Sequence, residues 1–102
     1  MEDEGEIQLG GNITLSGFKN IEPAKMVVVK KIVGNCIKKV QDKNVGFESV
    51  SLNLKKVHDS EFEIKCKLFL NGKLYHSDST GFNLFVVLND VLEKVVGEAG
   101  VG

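Results

Sequence analysis

The sequence predicts an α+β two-layer sandwich in which two helices cover one face of a four-stranded mixed sheet. Apolar residues recur at every second position in several short segments, which is typical of half-buried strands. In two longer segments they recur every three to four positions, which indicates amphipathic helices. Asn71-Gly72 separates two of the β-periodic segments and favours a type I′ hairpin, because both central residues of that turn need φ > 0. The predicted order is β-α-β-β-β-α.

The first strand is predicted from apolar residues on both sides of Gly10-Gly11. These residues share one parity: Ile7, Leu9, Ile13 and Leu15. A strand that is bent or bulged at the glycines explains this pattern, with its firm part at 12–18. We therefore expect residues 1–11 to be a frayed or bent extension, residues 12–98 to form one domain, and residues 99–102 to be a short flexible tail.

Each predicted helix has a single apolar stripe. Pro23 suits the first turn of helix one, which ends near Asn44. Its stripe is Met26, Val29, Ile32, Val33, Cys36, Ile37 and Val40. Asn83 is the expected N-cap of helix two, with Phe82 and Val87 placed as a hydrophobic staple. The core-facing residues of helix two are Leu84, Phe85, Leu88, Val91, Leu92 and Val95.

The last three predicted strands form an antiparallel meander, and the first helix makes a right-handed crossover between two parallel strands. A two-residue turn at Asn71-Gly72 pairs Leu70 with Lys73 and Lys67 with His76. The face of the sheet away from the helices is then polar, except for Phe69 and Leu74, which lie opposite each other.

The composition is that of an ordinary globular domain of 102 residues, with 42% hydrophobic residues and a net charge of −1. The longest apolar segment is too short to span a membrane, and the acidic N-terminus does not resemble a signal peptide. A cytoplasmic location is therefore expected. All 13 basic residues are lysines. Arginine is the residue that grips phosphate and guanine in two places, so its absence disfavours sequence-specific reading of nucleic acid.

No catalytic motif is present, and we predict no enzyme activity, no cofactor and no metal. Cys36 and Cys66 are thirty residues apart, which does not fit a zinc site, and buried reduced thiols are the expected state. His76 and Asp78 share one strand face and could form a general base with its orienting carboxylate. Cross-strand charge pairing explains them better, because no nucleophile or oxyanion donor accompanies them.

The chain resembles the ribosome hibernation-promoting factor family over roughly residues 12–96. The segments that carry the resemblance are Asn12-Ile13-Thr14-Leu15-Ser16-Gly17, Ile21-Glu22-Pro23-Ala24, Asn71-Gly72-Lys73-Leu74-Tyr75-His76-Ser77-Asp78, Phe82-Asn83-Leu84-Phe85, and Leu88-Asn89-Asp90-Val91-Leu92-Glu93-Lys94-Val95. The resemblance implies a β-α-β-β-β-α domain without catalysis or cofactor. It also implies binding to small-subunit ribosomal RNA near the decoding region through basic residues on helices and strand edges.

Two interpretations of function remain open. The first is an RNA- or ribosome-associated module that contacts phosphates non-specifically, with these candidate residues: Lys25, Lys30, Lys31, Lys38, Lys39, Lys43, Lys55 and Lys56. The second is a protein-interaction or structural domain of the same fold, which could dimerise through the open sheet face at Phe69, Leu74 and His76. The topology, the helix-one lysines and the resemblance motivate the first, which is the prediction. The near-neutral charge, the absence of arginine and the acidic second helix, with Asp90, Glu93 and Glu98 against Lys94, motivate the second as its alternative.

Overall fold

The computed structural model describes residues 6–101. Residues 1–5, predicted to be frayed, and residue 102 of the predicted tail lie outside the described residues. The chain is of the α+β class, as predicted. Its elements are β1 (Glu6–Leu9), β2 (Ile13–Ser16), α1 (Pro23–Asp42), β3 (Phe47–Lys56), a short 3₁₀ turn (His58–Ser60), β4 (Phe62–Leu70), β5 (Lys73–Gly81) and α2 (Leu84–Glu98).

The sheet has five strands in the order β1-β2-β3-β4-β5. β2 and β3 are parallel and adjacent, as the crossover predicts, and every other neighbouring pair is antiparallel. The turn between β4 and β5 also forms as predicted, with φ of 52° at Asn71 and 79° at Gly72. Leu70 lies opposite Lys73, and Lys67 lies opposite His76. The Glu48 carboxylate accepts a hydrogen bond of 2.7 Å from the Gly72 amide and so holds the turn to β3.

The prediction of four strands is wrong, because the N-terminal segment reverses direction at the glycines. Gly10 takes a φ of +64°, and the chain turns so that Ile7 pairs with Leu15 in an antiparallel hairpin. A bent strand and a hairpin place these apolar residues on the same face of the sheet. Parity alone therefore cannot distinguish them, and the additional strand β1 follows from the turn.

Both helices bury one stripe in a single core against the sheet. The fully buried residues include Val33 of α1, Leu88 and Val91 of α2, and Phe18, which lies between β2 and α1. Asn83 caps α2 as predicted, since its side-chain oxygen accepts from the Phe85 and Val86 amides. The predicted staple is wrong, because Phe82 is 69% exposed.

The two helices run side by side in the same direction. α1 returns the chain from the end of β2 to the start of the parallel strand β3, so α1 runs against both strands. β5 is parallel to β3, because two antiparallel pairings separate them. α2 follows β5 after a two-residue connection and lies against β4 and β5. It therefore also runs against the direction of β3, and the N-terminal ends of both helices lie at the same end of the sheet.

Candidate nucleic-acid interface

The candidate interface is the outer surface of α1, where the sequence places a dense group of lysines. Five residues at helical spacing anchor the helix to the core: Met26, Val29, Val33, Ile37 and Val40. Pro23 occupies the first turn, where its missing amide costs nothing. Because the apolar stripe fixes the rotation of the helix, all six lysines between positions 25 and 43 are exposed.

The six lysines do not form one row. With 3.6 residues per turn, Lys31 and Lys38 lie together on the outermost side of α1. Lys39 and Lys43 lie on the flank of α1 that faces α2, and the helical spacing places Lys25 on the same flank. Lys30 lies on the opposite flank. Five of the six therefore share an arc of about 140° around the helix.

Within the described part of the chain, no carboxylate forms a salt bridge with these lysines. Within residues 6–101 the salt bridge that forms joins Lys94 to Asp90 at 3.3 Å, four residues apart on α2. Asp42 is the one acidic residue of α1 and is itself exposed. The lysine ammonium groups of α1 are thus available to an external anion.

The structure does not bring Lys55 and Lys56 to the same surface. Lys55 lies opposite Glu63 on the sheet face away from the helices. Lys56 points the other way at the end of β3, with its ammonium nitrogen 5.7 Å from the ring centroid of Phe62, which is within cation–π range. The eight predicted RNA-binding residues are therefore divided between α1, the open sheet face and a strand end.

The three predicted partner-binding residues do lie together. Phe69 and Leu74 are a cross-strand pair on the open sheet face and are 37% and 43% exposed. His76 is the next residue on that face of β5, opposite Lys67. Among the described residues, no hydrogen bond joins His76 to Asp78, so the geometry provides no oriented general base.

The polar contacts between α2 and β5 were not predicted from the sequence. The Ser79 hydroxyl donates to the Asp90 carboxylate at 2.6 Å, and the Ser77 hydroxyl donates to the Val91 carbonyl at 2.8 Å. Lys94 donates to the Asp78 carbonyl at 3.1 Å. The hydrogen bond from Ser79, followed by that from Lys94, lowers the pKa of Asp90. Asp90 thus helps to hold α2 to β5. The sequence feature that could have predicted these contacts is the alternation of serines, Ser77 and Ser79, on the strand that precedes the helix.

The two cysteines are free, and burial keeps both thiols protonated. Burial raises the pKa of Cys66 to about 12, with a smaller contribution from Cys36, and burial also raises the pKa of Cys36. Neither thiol is therefore an activated nucleophile at neutral pH. In the described part of the chain, no three His, Cys, Asp or Glu residues gather as a metal site would require. Neither helix within residues 6–101 is long and apolar enough to cross a membrane.

No family model matches the sequence. No curated protein is detectably similar to it. The surface chemistry of the chain itself is therefore the basis for assigning a function.

Proposed function

We propose that this protein is a small, non-enzymatic, cytoplasmic RNA-binding module that contacts phosphates through the outer surface of α1. One observation carries the proposal: six exposed lysines lie within nineteen residues, opposed on that helix by Asp42 alone. The small ribosomal subunit is the proposed partner, and this choice rests on the resemblance of the chain to the hibernation-factor family.

The dimensions of α1 suit a polyanion. Its 20 residues extend over about 30 Å, and duplex nucleic acid carries one negative charge for roughly each 1.7 Å of its axis. Several lysines can therefore meet successive phosphates along one groove edge. Because lysine acts as a point charge, such binding depends on backbone charge and has little sequence preference.

The expected salt dependence follows from the arrangement of the lysines. Five of them share the outer arc. If roughly three to five phosphates are contacted, the logarithm of the association constant for duplex RNA should fall with the logarithm of salt concentration with a slope of about −3 to −5. Fluorescence anisotropy with a labelled RNA hairpin, beginning at about 50 mM salt, measures this slope. A failure to bind any RNA, or the small ribosomal subunit, at low salt would reject the proposal.

A matched pair of variants tests the location of the interface. The double variant Lys31→Glu/Lys38→Glu reverses two charges on the outermost side of α1. The double variant Lys65→Glu/Lys67→Glu reverses two charges on the open sheet face, where both lysines are also exposed. We expect the first to weaken RNA binding by at least about tenfold more than the second, because its lysines lie in the contact. Equal losses would show that only net charge matters.

The open sheet face supports a second candidate, a protein-interaction domain without RNA binding. The specific observation is the exposed pair Phe69 and Leu74 on an otherwise polar face. Substitution Leu74→Glu should then abolish capture of a protein partner, while RNA binding by α1 is unchanged. A chain that remains monomeric and captures no protein, measured by sedimentation and affinity purification, excludes this candidate.

A further inference from the structure

The outer surface of the helix layer contains an unfilled groove between α1 and α2. It has a volume of about 770 Å³ and is formed by the C-terminal halves of both helices. Its apolar lining includes Cys36, Leu92, Val96 and Val101. The groove lies on the opposite side of the molecule from Phe69 and Leu74, because those residues are on the sheet face that no helix covers.

Exposed apolar side chains continue this surface toward the N-terminal ends of the helices. Val28 lies one turn before Ile32, which lines the groove, and Val86 lies one turn before Asn89, which also lines it. Val28, Val86 and Phe82 are 41%, 64% and 69% exposed. Apolar side chains that adjoin a groove in this way mark an interaction surface.

The charges on the two sides of the groove are opposite in sign. Lys39, Lys43 and Asp42 line the α1 side, which is positive on balance, and Glu93 lines the α2 side. Among the described residues, none of these four forms a salt bridge. Because the helices run in the same direction, Val28 and Val86 lie toward the N-terminal ends of both, with Lys25 on the same flank of α1. The charged residues that line the groove lie toward the C-terminal ends.

We propose that the helix layer binds a second copy of this chain, related by a two-fold axis that runs along the groove. Such an axis preserves position along the helices and exchanges their sides. The apolar ends of the two copies therefore meet each other, and the basic side of one copy faces the acidic side of its partner. A surface divided into a basic and an acidic half is self-complementary under this operation and under few others.

This arrangement favours a second copy over a polyanion as the occupant of the groove. Glu93 and the apolar residues at Val28 and Val86 offer nothing to a phosphate chain, whereas each finds its complement in a second copy. The proposal goes beyond RNA binding and does not depend on it. The test is made without RNA, so self-association and RNA binding can fail separately.

Sedimentation equilibrium of the full chain is the first measurement. We expect concentration-dependent formation of a dimer and of no larger species, because a two-fold contact is closed. A chain that stays monomeric up to about 1 mM overturns the proposal.

Two single substitutions of matched exposure locate the interface. Val28→Glu alters the helix layer, and Leu74→Glu alters the open sheet face, where the side chain is 43% exposed against 41% for Val28. Val28→Glu should weaken the dimer at least about tenfold, and Leu74→Glu should leave it unchanged. Circular dichroism confirms that both variants are folded. The reverse result places the contact on the sheet face and overturns the proposal.

A charge exchange tests the two-fold arrangement itself. Lys39→Glu and Glu93→Lys should each weaken the dimer, because each sets like charges opposite one another. Mixing the two variants should restore association as a mixed dimer, and combining both changes in one chain should restore the homodimer. Absence of restoration in both the mixture and the combined variant overturns the pairing of α1 with α2 of the partner subunit.

Discussion

The two helices bury similar apolar stripes, yet the side chains on their polar sides make different contacts. On α2, Asp90 and Lys94 contact β5 through Ser79 and the Asp78 carbonyl. On α1, the lysines make no salt bridge with any residue in the range 6–101. Polar residues of α2 therefore help to hold that helix to the sheet, whereas the lysines of α1 form no salt bridge among the described residues. The difference lies in what the polar side chains contact, because both helices have an apolar stripe in the core.

Removing an apolar anchor should have the largest effect on stability, since both helices depend on the core. Leu88 is fully buried on α2, and Leu88→Ala should lower the free energy of unfolding by about 2–5 kcal/mol. Val86→Ala on the same helix removes an exposed side chain and should change it by less than about 0.5 kcal/mol. Urea denaturation measures both. Similar values for the two would mean that α2 is not packed as described.

The Ser77 hydroxyl provides the next largest effect. Ser77→Ala removes its hydrogen bond to the Val91 carbonyl and should cost about 1 kcal/mol of unfolding free energy. Thr80→Ala, an exposed change on the same strand, is the control. If the two substitutions have the same effect on urea denaturation, the contact between Ser77 and α2 contributes nothing to stability.

Asp90 makes a pH-dependent contribution to stability, also through a hydrogen bond between α2 and β5. Its pKa is lowered in the folded chain, mainly by the hydrogen bond from Ser79, so the folded state favours the carboxylate. This stabilisation is fully present above the unfolded pKa, near pH 4, and is lost as pH falls through the folded pKa. Asp90→Asn should therefore lower stability at pH 7 and reduce its decline in acid.

Thermal unfolding between pH 2 and pH 7 tests this expectation. Glu93→Gln on the same helix is the control, since Glu93 is exposed and makes no hydrogen bond with another described side chain. If Asp90→Asn and wild type lose stability in parallel as the pH falls, another carboxylate controls the acid transition.

Sequence patterns predict the layers of this fold well, because apolar periodicity and turn chemistry are local. Asn71-Gly72 fixes the β4–β5 register, and the α1 stripe fixes which lysines are exposed. The reversal at Gly10 was not predicted, because a bent strand and a hairpin place Ile7 and Leu15 on the same face. Contacts such as Ser79 with Asp90 depend on how α2 lies over β5, which no local pattern encodes.

Removing lysines from α1 should give the smallest change in stability. Lys31→Ala/Lys38→Ala removes two charges that contact no carboxylate in the described chain, so the unfolding free energy should change by less than about 0.5 kcal/mol. Lys94→Ala removes contacts to Asp90 and to the Asp78 carbonyl, and should lower stability more than the double variant does. Urea denaturation measures the free energy of unfolding of both variants. Greater destabilisation by the α1 double variant would show that those lysines support the fold. The polar residues of the two helices would then not differ in their contribution to stability.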